Sequence, residues 1–111
     1  MLKNNEDYPL LTRQTPNALG GIKFDGDKED WTLLPIKSVK AIVEILMIGA
    51  KKYAPDNWQK VEPERYKKAT WRHWTAWCEG EKNDPETGKS HLAHIGCNIL
   101  FLLWFELTGK I

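Results

Sequence analysis

The sequence predicts an all-α fold: a small bundle of about three main helices with an irregular N-terminal arm, completed by oligomerisation. Apolar residues recur at helical spacing in three segments after residue 34. Turns rich in proline, glycine and charge separate these segments, and no alternation is long enough to indicate a strand. The 111 residues fit one folded domain in size.

The irregular arm is predicted over residues 1–34, where prolines, paired glycines and a charged run leave no sustained period of 2 or 3.6. The helical domain is predicted over residues 35–111. Its first helix begins at Pro35, a favoured first helical position, and ends near Tyr53, before Pro55. The apolar face of this helix is formed by Val39, Ile42, Val43, Leu46 and Ala50.

The second helix is predicted over about residues 63–79. Pro63 suits its first turn, and Gly80 is expected to terminate it. Tyr66, Thr70, His73 and Trp77 lie on one stripe of this helix. Residues 80–89 combine charge with Asp, Pro, Thr and Gly, which predicts a loop.

The third helix is expected to open with Ser90 as its N-cap and to run to about Leu107, with Gly109 as a stop signal. Residues 100–105 are apolar on every side of this helix. A helix of that kind must be enclosed, and three helices barely suffice. We therefore expect a homo-oligomer, either a dimer or a tetramer.

Bulk composition bears on partners and location. The net charge of +1 gives no general attraction to nucleic acid or anionic lipid, so neither is an expected partner. The first eight residues are polar and lack the apolar core of a signal peptide, and the run at 99–105 is too short to span a bilayer. Cys78 and Cys97 lack motif spacing and are expected to pack as small hydrophobes. These features favour a soluble cytoplasmic protein.

The loop and the start of the third helix carry the candidate chemistry. Four carboxylates fall within eight residues: Glu79, Glu81, Asp84 and Glu86. His91, His94 and Asn98 follow at i, i+3 and i+7, on one helical stripe. Carboxylates suit Mg²⁺ or Mn²⁺, whereas imidazoles favour Mn²⁺, Co²⁺ or Zn²⁺ and also serve as general bases. The alternative interpretation is a solvated loop beside buried, hydrogen-bonded histidines.

Two further clusters are candidates for substrate binding. Lys52 closes the first helix, where a cation suits the helix dipole. It is also a candidate for binding the triphosphate group of a substrate. Tyr53, Asn57 and Trp58 are candidates for stacking on a base and bonding to its edge. Lys28 belongs to a charged segment that is either a phosphate lid or an ordinary turn.

Two familiar phosphate-chemistry signatures are excluded. Residues 88–90 match the end of a P-loop, but Asn83 stands where that motif requires glycine, and a helix precedes the loop. No histidine precedes an aspartate, so the His-Asp pair of metal phosphohydrolases is missing.

The order of motifs resembles the phage dATP/dGTP diphosphohydrolase family over roughly residues 20–108. The motifs that carry the resemblance are Lys23-Phe24-Asp25, Trp31 to Pro35, Gly49 to Tyr53, Asn57-Trp58, Arg72-His73, Gly80-Glu81, Asp84 to Gly88 and His91 to Asn98. The family is similar to the all-α, MazG-like nucleoside triphosphate pyrophosphohydrolases. The resemblance implies cleavage of dGTP or dATP to monophosphate and pyrophosphate, which would adjust a phage's nucleotide pool in the host cytoplasm.

The chain departs from the general MazG-like pattern, which places Glu-x-x-Glu on one helix and Glu-x-x-Asp on the next. Arg72, His73 and Ala76 stand where the first carboxylates would lie, and the only Glu-x-x-Asp runs from Glu81 to Asp84 in the loop. Either the acidic loop therefore supplies the carboxylates, or histidines serve as the ligands, or the chain has lost activity.

From these observations we predict metal-assisted hydrolysis with one or two Mg²⁺, Mn²⁺ or Co²⁺ ions. Arg72 with Lys52 or Lys28 would neutralise the leaving pyrophosphate, and either His73 or a metal-bound hydroxide would serve as the base. The predicted metal ligands are Glu79, Glu81, Asp84, His91 and His94. The predicted catalytic residues are His73, Glu81, His91 and His94. The predicted substrate contacts are Lys28, Lys52, Tyr53, Asn57, Trp58, Arg72 and Asn98. The alternatives are a non-catalytic nucleotide-binding subunit and a helical interaction subunit.

Overall fold

The structure, a computed structural model, describes residues 15–16 and 18–111. The chain divides into two compact units, Met1–Leu34 and Pro35–Ile111, and each is described by itself. The all-α class is confirmed, because three α-helices account for most of the second unit and the strands have only two residues each. Of the predicted N-terminal arm, residues 1–14 and 17 lie outside the described residues.

The described residues of the first unit form only short pieces of regular structure. Strand β1 (Thr15–Pro16) pairs antiparallel with β2 (Ile22–Lys23), and a 3-10 helix covers Trp31–Leu33. Asp30 caps that short helix, because its carboxylate accepts the backbone N–H of Thr32 at 3.0 Å. Strands of two residues are too short to leave an alternating pattern, which is why the sequence did not predict them.

The second unit contains helices α1 (Ile36–Lys52), α2 (Pro63–Cys78) and α3 (His91–Leu107). A 3-10 helix at Asn57–Lys60 lies between α1 and α2. Each α-helix begins and ends within one residue of its predicted bounds, which is the usual uncertainty of helix termini.

Local chemistry explains where these helices begin and end. Pro63 occupies the first position of α2, and Gly80 follows that helix with a φ of 100°. Ser90 caps α3, because its hydroxyl oxygen accepts the N–H of Leu92 at 3.1 Å. Gly109 follows α3 with a φ of 73°, a value that residues with a side chain rarely adopt.

Helix α3 is the centre of this unit, and both α1 and α2 pack against it. The buried cluster at this junction consists of Ile45, Ala93, Cys97 and Phe101. Gly96 permits the close approach of α1, because a Cβ at this position would lie 2.7 Å from Cδ1 of Ile42. The core is therefore small and centred on α3.

Stacked aromatic rings hold the 57–60 turn onto the helices. The rings of Trp58 and Phe101 stack with centroids 4.3 Å apart and planes 10° apart. Tyr66 on α2 donates its hydroxyl hydrogen to the carbonyl of Trp58 at 3.0 Å and lies against Phe101. This contact joins the turn, α2 and α3 at one point.

Several large apolar side chains of the helices face outward. They include Trp71, Trp74, Leu92, Ile99 and Leu103, which are between 43% and 68% exposed. Oligomerisation, which would cover them, stays a prediction. Within the described part of the chain, none of the helices has both the length and the apolar character needed to cross a bilayer.

Candidate functional site

The acidic loop between α2 and α3 folds into a compact turn. Gly88 donates its N–H to the carbonyl of Asp84, and Asp84 donates its own to the carbonyl of Lys89, both at 2.7 Å. Thr87 donates its N–H to Oδ2 of Asp84 at 3.2 Å. These bonds hold the Asp84 carboxylate close to the start of α3 instead of leaving the loop fully solvated.

Two imidazoles from different helices meet beside this loop. His73 on α2 and His91 on α3 place their Nδ1 atoms 2.8 Å apart. Nε2 of His91 lies 2.7 Å from Oε1 of Glu81, and the His91 side chain is only 4% exposed. Because a carboxylate can only accept, Nε2 of His91 carries a hydrogen and donates it to Glu81.

That bond determines where the lone pairs of the two rings lie. A neutral imidazole has one donor nitrogen and one acceptor, so a neutral His91 accepts at Nδ1. His73 then donates from its own Nδ1 and keeps a lone pair on Nε2. In histidine metal sites, a carboxylate commonly accepts the ring hydrogen opposite the ligating nitrogen, and Glu81 has that position behind His91.

The third imidazole, His94, stacks on His73 with ring centroids 4.5 Å apart and planes 5° apart. Its Nε2 lies 2.8 Å from the Thr87 hydroxyl and 3.6 Å from Oδ2 of Asp84. Thr87 gives its single hydroxyl hydrogen to Asp84 at 3.0 Å, so the hydrogen between Thr87 and His94 comes from Nε2. A neutral His94 therefore holds its lone pair on Nδ1, which has no hydrogen-bond partner within the described part of the chain.

Burial sets the charge state of these rings. It lowers the pKa of His73, and the neighbouring rings and Arg72 lower it further against the opposing effect of Asp84. Burial also lowers the pKa of His94, although Asp84 opposes this. Burial alone would raise the pKa of Asp84, but its bonds to Thr87 and the nearby imidazoles lower it overall. At neutral pH the arrangement is thus two neutral imidazoles beside an ionised carboxylate.

The donor set suits a divalent cation. His73, Asp84 and His91 each offer one ligand atom, and these three atoms lie within 4.8 Å of one another. An ion bound by both Nδ1 atoms would replace the hydrogen between them, and His73 would then carry its hydrogen on Nε2. Two ligand nitrogens at about 2.0–2.1 Å from one ion lie about 3 Å apart, close to the Nδ1 separation observed here. Mixed nitrogen and oxygen donors favour Mn²⁺, Co²⁺ or Zn²⁺ over Mg²⁺.

A cavity of about 720 Å³ borders the middle of α3, and none of the three imidazoles lines it. It is enclosed by the C-terminal half of α1, residues 53–58, the start of α2 and the middle of α3, and its walls are mainly apolar. Asn98 lies on its wall, one turn after His94, or about 6 Å along the helix axis. The other polar residues in the lining are Tyr53, Asp56, Asn57, Arg65 and Tyr66. Its volume falls within the range of about 300–1,000 Å³ typical of small-molecule sites.

The predicted site residues form two groups, the imidazole cluster and the cavity wall. The remaining predicted residues belong to neither group. The imidazole cluster contains His73, Glu81, Asp84, His91 and His94. The cavity wall contains Tyr53, Asn57, Trp58 and Asn98. Their functional roles stay predictions.

The remaining candidates lie outside these groups. Glu79 caps the C-terminus of α2, is exposed, and makes no side-chain bond to any residue that the structure describes. Arg72 is exposed beside His73, and Lys52 pairs with Glu86 at 3.0 Å. Lys28 belongs to the first unit, where its N–H donates to the carbonyl of Asp25.

Two features were missed in the sequence. Thr87 joins Asp84 to His94, and its position three residues after Asp84 in a turn was the available signal. His73 was assigned only a base role, yet its ring belongs to the group able to bind a metal. Its place on the same stripe as Tyr66 indicates that it faces α3.

Comparisons with known proteins agree with the resemblance found in the sequence. The family model described as "dATP/dGTP diphosphohydrolase, N-terminal" matches residues 20–111. A protein of Salmonella phage PMBT28 named dATP/dGTP diphosphohydrolase is 34% identical over 84 residues, which cover 76% of this chain and 29% of that relative. The chain thus spans about three tenths of the relative's length. No solved structure matches the chain.

Proposed function

We propose, since this chain belongs to the dATP/dGTP diphosphohydrolase N-terminal family, that it cleaves dATP and dGTP to the monophosphate and pyrophosphate. The observation that carries the proposal is the cluster of three imidazoles and an ionised carboxylate, with a cavity large enough for a ligand farther along α3. The phage relative's name supports the choice of substrate. The proposed setting is the host cytoplasm.

We assign the metal to His73, Asp84 and His91. Glu81 orients His91 from the far side of its ring, through the bond to Nε2. When bound, a divalent ion supplies charge neutralisation of the phosphates and lowers the pKa of water. This assignment differs from the predicted ligand list, which contained Glu79, Glu81 and His94 as direct ligands but not His73.

His94 is the proposed general base. The Thr87 hydroxyl fixes its Nε2–H, which leaves the lone pair of Nδ1 to take a proton from the attacking water. Stacking on His73 keeps the ring next to the metal ligands. The lowered pKa of His94 favours the neutral form that such a base requires.

Cationic side chains near the cluster are the proposed partners of the polyphosphate. Arg72 is exposed beside His73 and is free to approach a phosphate, since the described residues provide it with no ion-pair partner. Lys52 lies at the end of α1 and would exchange its ion pair with Glu86 for the leaving pyrophosphate.

The cavity is the proposed base site. Trp58 and Tyr53 provide aromatic surface, and Asn57 and Asn98 provide hydrogen-bonding groups. A base in the cavity and phosphates at the imidazoles would lie along the same stretch of α3. The outward-facing apolar side chains of α2 and α3 make a second copy of the chain the proposed partner.

The test is release of pyrophosphate from dATP and dGTP with Mn²⁺, Co²⁺ or Mg²⁺, compared between the natural chain and His91→Ala. We expect turnover by the natural chain and a loss of at least about a hundredfold in the variant. Glu79→Gln serves as the matched control and should keep its activity. Folded protein that binds nucleotide but gives no product with any metal would support the non-catalytic alternative instead.

A further inference from the structure

Two carboxamide side chains in the cavity lack the partners that buried amides usually have. Asn57 and Asn98 are both partly buried, and both line the cavity. Neither side chain makes a hydrogen bond to another of the described residues, although each has two donor hydrogens and an acceptor oxygen. Amides in mainly apolar surroundings are costly unless water or a ligand satisfies them, so this pair favours a ligand with its own donors and acceptors.

The surroundings of the amides indicate a flat aromatic ligand. Trp58 and Phe101 stack at 4.3 Å on the cavity wall, and Tyr53 and Tyr66 add further ring surface. Flat heterocycles bind on such surfaces by stacking, which tolerates every base, so the base must be distinguished at its edge. The two amides are suited to this because a carboxamide carries a donor and an acceptor side by side.

We propose that Asn98 determines base specificity, reading the purine edge at positions 6 and 7 and accepting both a 6-amino and a 6-oxo group. The inference rests on the proposed function. An amide pairs with adenine by accepting from N6 and donating to N7. Guanine has acceptors at both O6 and N7, so for this base the amide would turn to donate from its NH2 group to O6, with its oxygen directed away from N7. The side chain is suited to both states because its neighbours do not fix its orientation.

The position of Asn98 favours it over Asn57 as the specificity residue. It lies on α3 one turn after His94, so the base and the proposed reaction centre are held by one rigid helix. Asn57 opens a 3-10 helix and follows Asp56, whose φ of 63° marks a tight turn. Because the position of Asn57 depends on this turn, we assign it a second, supporting hydrogen bond to the edge of the base.

The test separates base recognition from turnover. Binding of the non-hydrolysable α,β-methylene analogues of dATP and dGTP is measured with Mn²⁺ by calorimetry. Asn98→Asp keeps the size of the side chain but leaves only acceptors, so it should still accept from the 6-amino group and repel the 6-oxo group. We expect the ratio of the two dissociation constants to shift toward dATP by about tenfold or more.

Asn83→Asp is the matched control, because it adds the same charge on the exposed loop outside the cavity. It should leave the ratio unchanged even if it weakens both analogues. Asn98→Leu is the second variant, and it should weaken both purine analogues relative to the dCTP analogue by about tenfold.

An unchanged ratio in Asn98→Asp, an unchanged purine preference in Asn98→Leu, or no binding of either analogue to the natural chain would overturn the inference. If the expected binding changes are seen but the natural chain gives no turnover of dATP or dGTP, the proposed function alone is contradicted.

Discussion

Glu81 holds the ring of His91 from behind, with its Oε1 2.7 Å from Nε2, so that Nδ1 of the same ring faces His73. The carboxylate itself is half exposed, whereas the ring is almost fully buried. A loop residue therefore controls the orientation of a helical imidazole through one hydrogen bond.

We expect Glu81→Gln to weaken Mn²⁺ binding by about 10–100-fold, because a carboxylate that orients a metal-binding histidine typically contributes this much to affinity. The measurement is calorimetric titration of the folded protein. Glu79→Gln removes a carboxylate two residues earlier that makes no bond to a described residue, and it should bind like the natural chain. Equal losses in both variants would instead favour direct ligation by the whole acidic loop.

Thr87→Val should lower the free energy of unfolding by about 1–2 kcal/mol. It keeps the shape of the side chain but removes the hydroxyl that donates to Asp84 and accepts from His94, leaving partly buried polar groups unpaired. Thr87→Ser keeps the hydroxyl and should lose much less. Urea unfolding monitored by circular dichroism measures both, and equal stabilities for the two variants would show that the hydroxyl is not what stabilises the turn.

Two helical glycines make a matched pair for the packing of α1. Gly96→Ala should be less stable than Gly49→Ala by about 1–3 kcal/mol, because both gain helix propensity but only the first overpacks. At Gly96 the new methyl would lie 2.7 Å from Cδ1 of Ile42, whereas nothing lies within 4 Å at Gly49. Adding Ile42→Val removes that atom and should recover most of the difference, as thermal unfolding would show.

The two cysteines should differ strongly in reactivity. Burial raises the pKa of Cys97 to about 11, so at pH 8 only about one thiol in a thousand is ionised. Cys78 is exposed. Iodoacetamide at pH 8 should modify Cys78 and leave Cys97 unmodified until the protein unfolds, with Cys78→Ser as the control, and mass spectrometry identifies the site.

The same burial predicts how alkali affects stability. The folded-state pKa of Cys97 lies above the ordinary value of 9.0, so the unfolded chain loses the thiol proton first as the pH rises. The contribution of the buried thiol is complete below pH 9 and is lost between pH 9 and about 11. Cys97→Ala should unfold with a weaker pH dependence across that range, compared with the natural chain in urea.

The residues that start and stop helices made the helix bounds predictable from the sequence. The contacts between helices could not be predicted in this way. Pro63, Ser90 and Gly109 mark helix ends by rules that need only a few neighbouring residues. The shared stripe of His91 and His94 likewise follows from helical spacing. The meeting of His73 with His91 depends on the register between two helices, which the loop between them sets.

The sequence also could not predict which carboxylates face the imidazoles, or which residues share the cavity, because both depend on tertiary contacts. Composition placed Glu79, Glu81 and Asp84 in one loop but could not say which would face the imidazoles. That choice depends on the bonds of Asp84 to Thr87 and Lys89, which fold the turn. The cavity combines the end of α1 with the middle of α3, so only the packed arrangement shows that Asn98 and Asn57 share it.

Every member of the imidazole cluster comes from one helical hairpin, running from His73 through the loop to His94. Contacts between residues so near in sequence lose little chain entropy on closing and form early in folding. The hairpin can therefore close before α1 docks onto α3. A cation that binds His73 and His91 would then stabilise the closed hairpin during folding, before α1 packs against it.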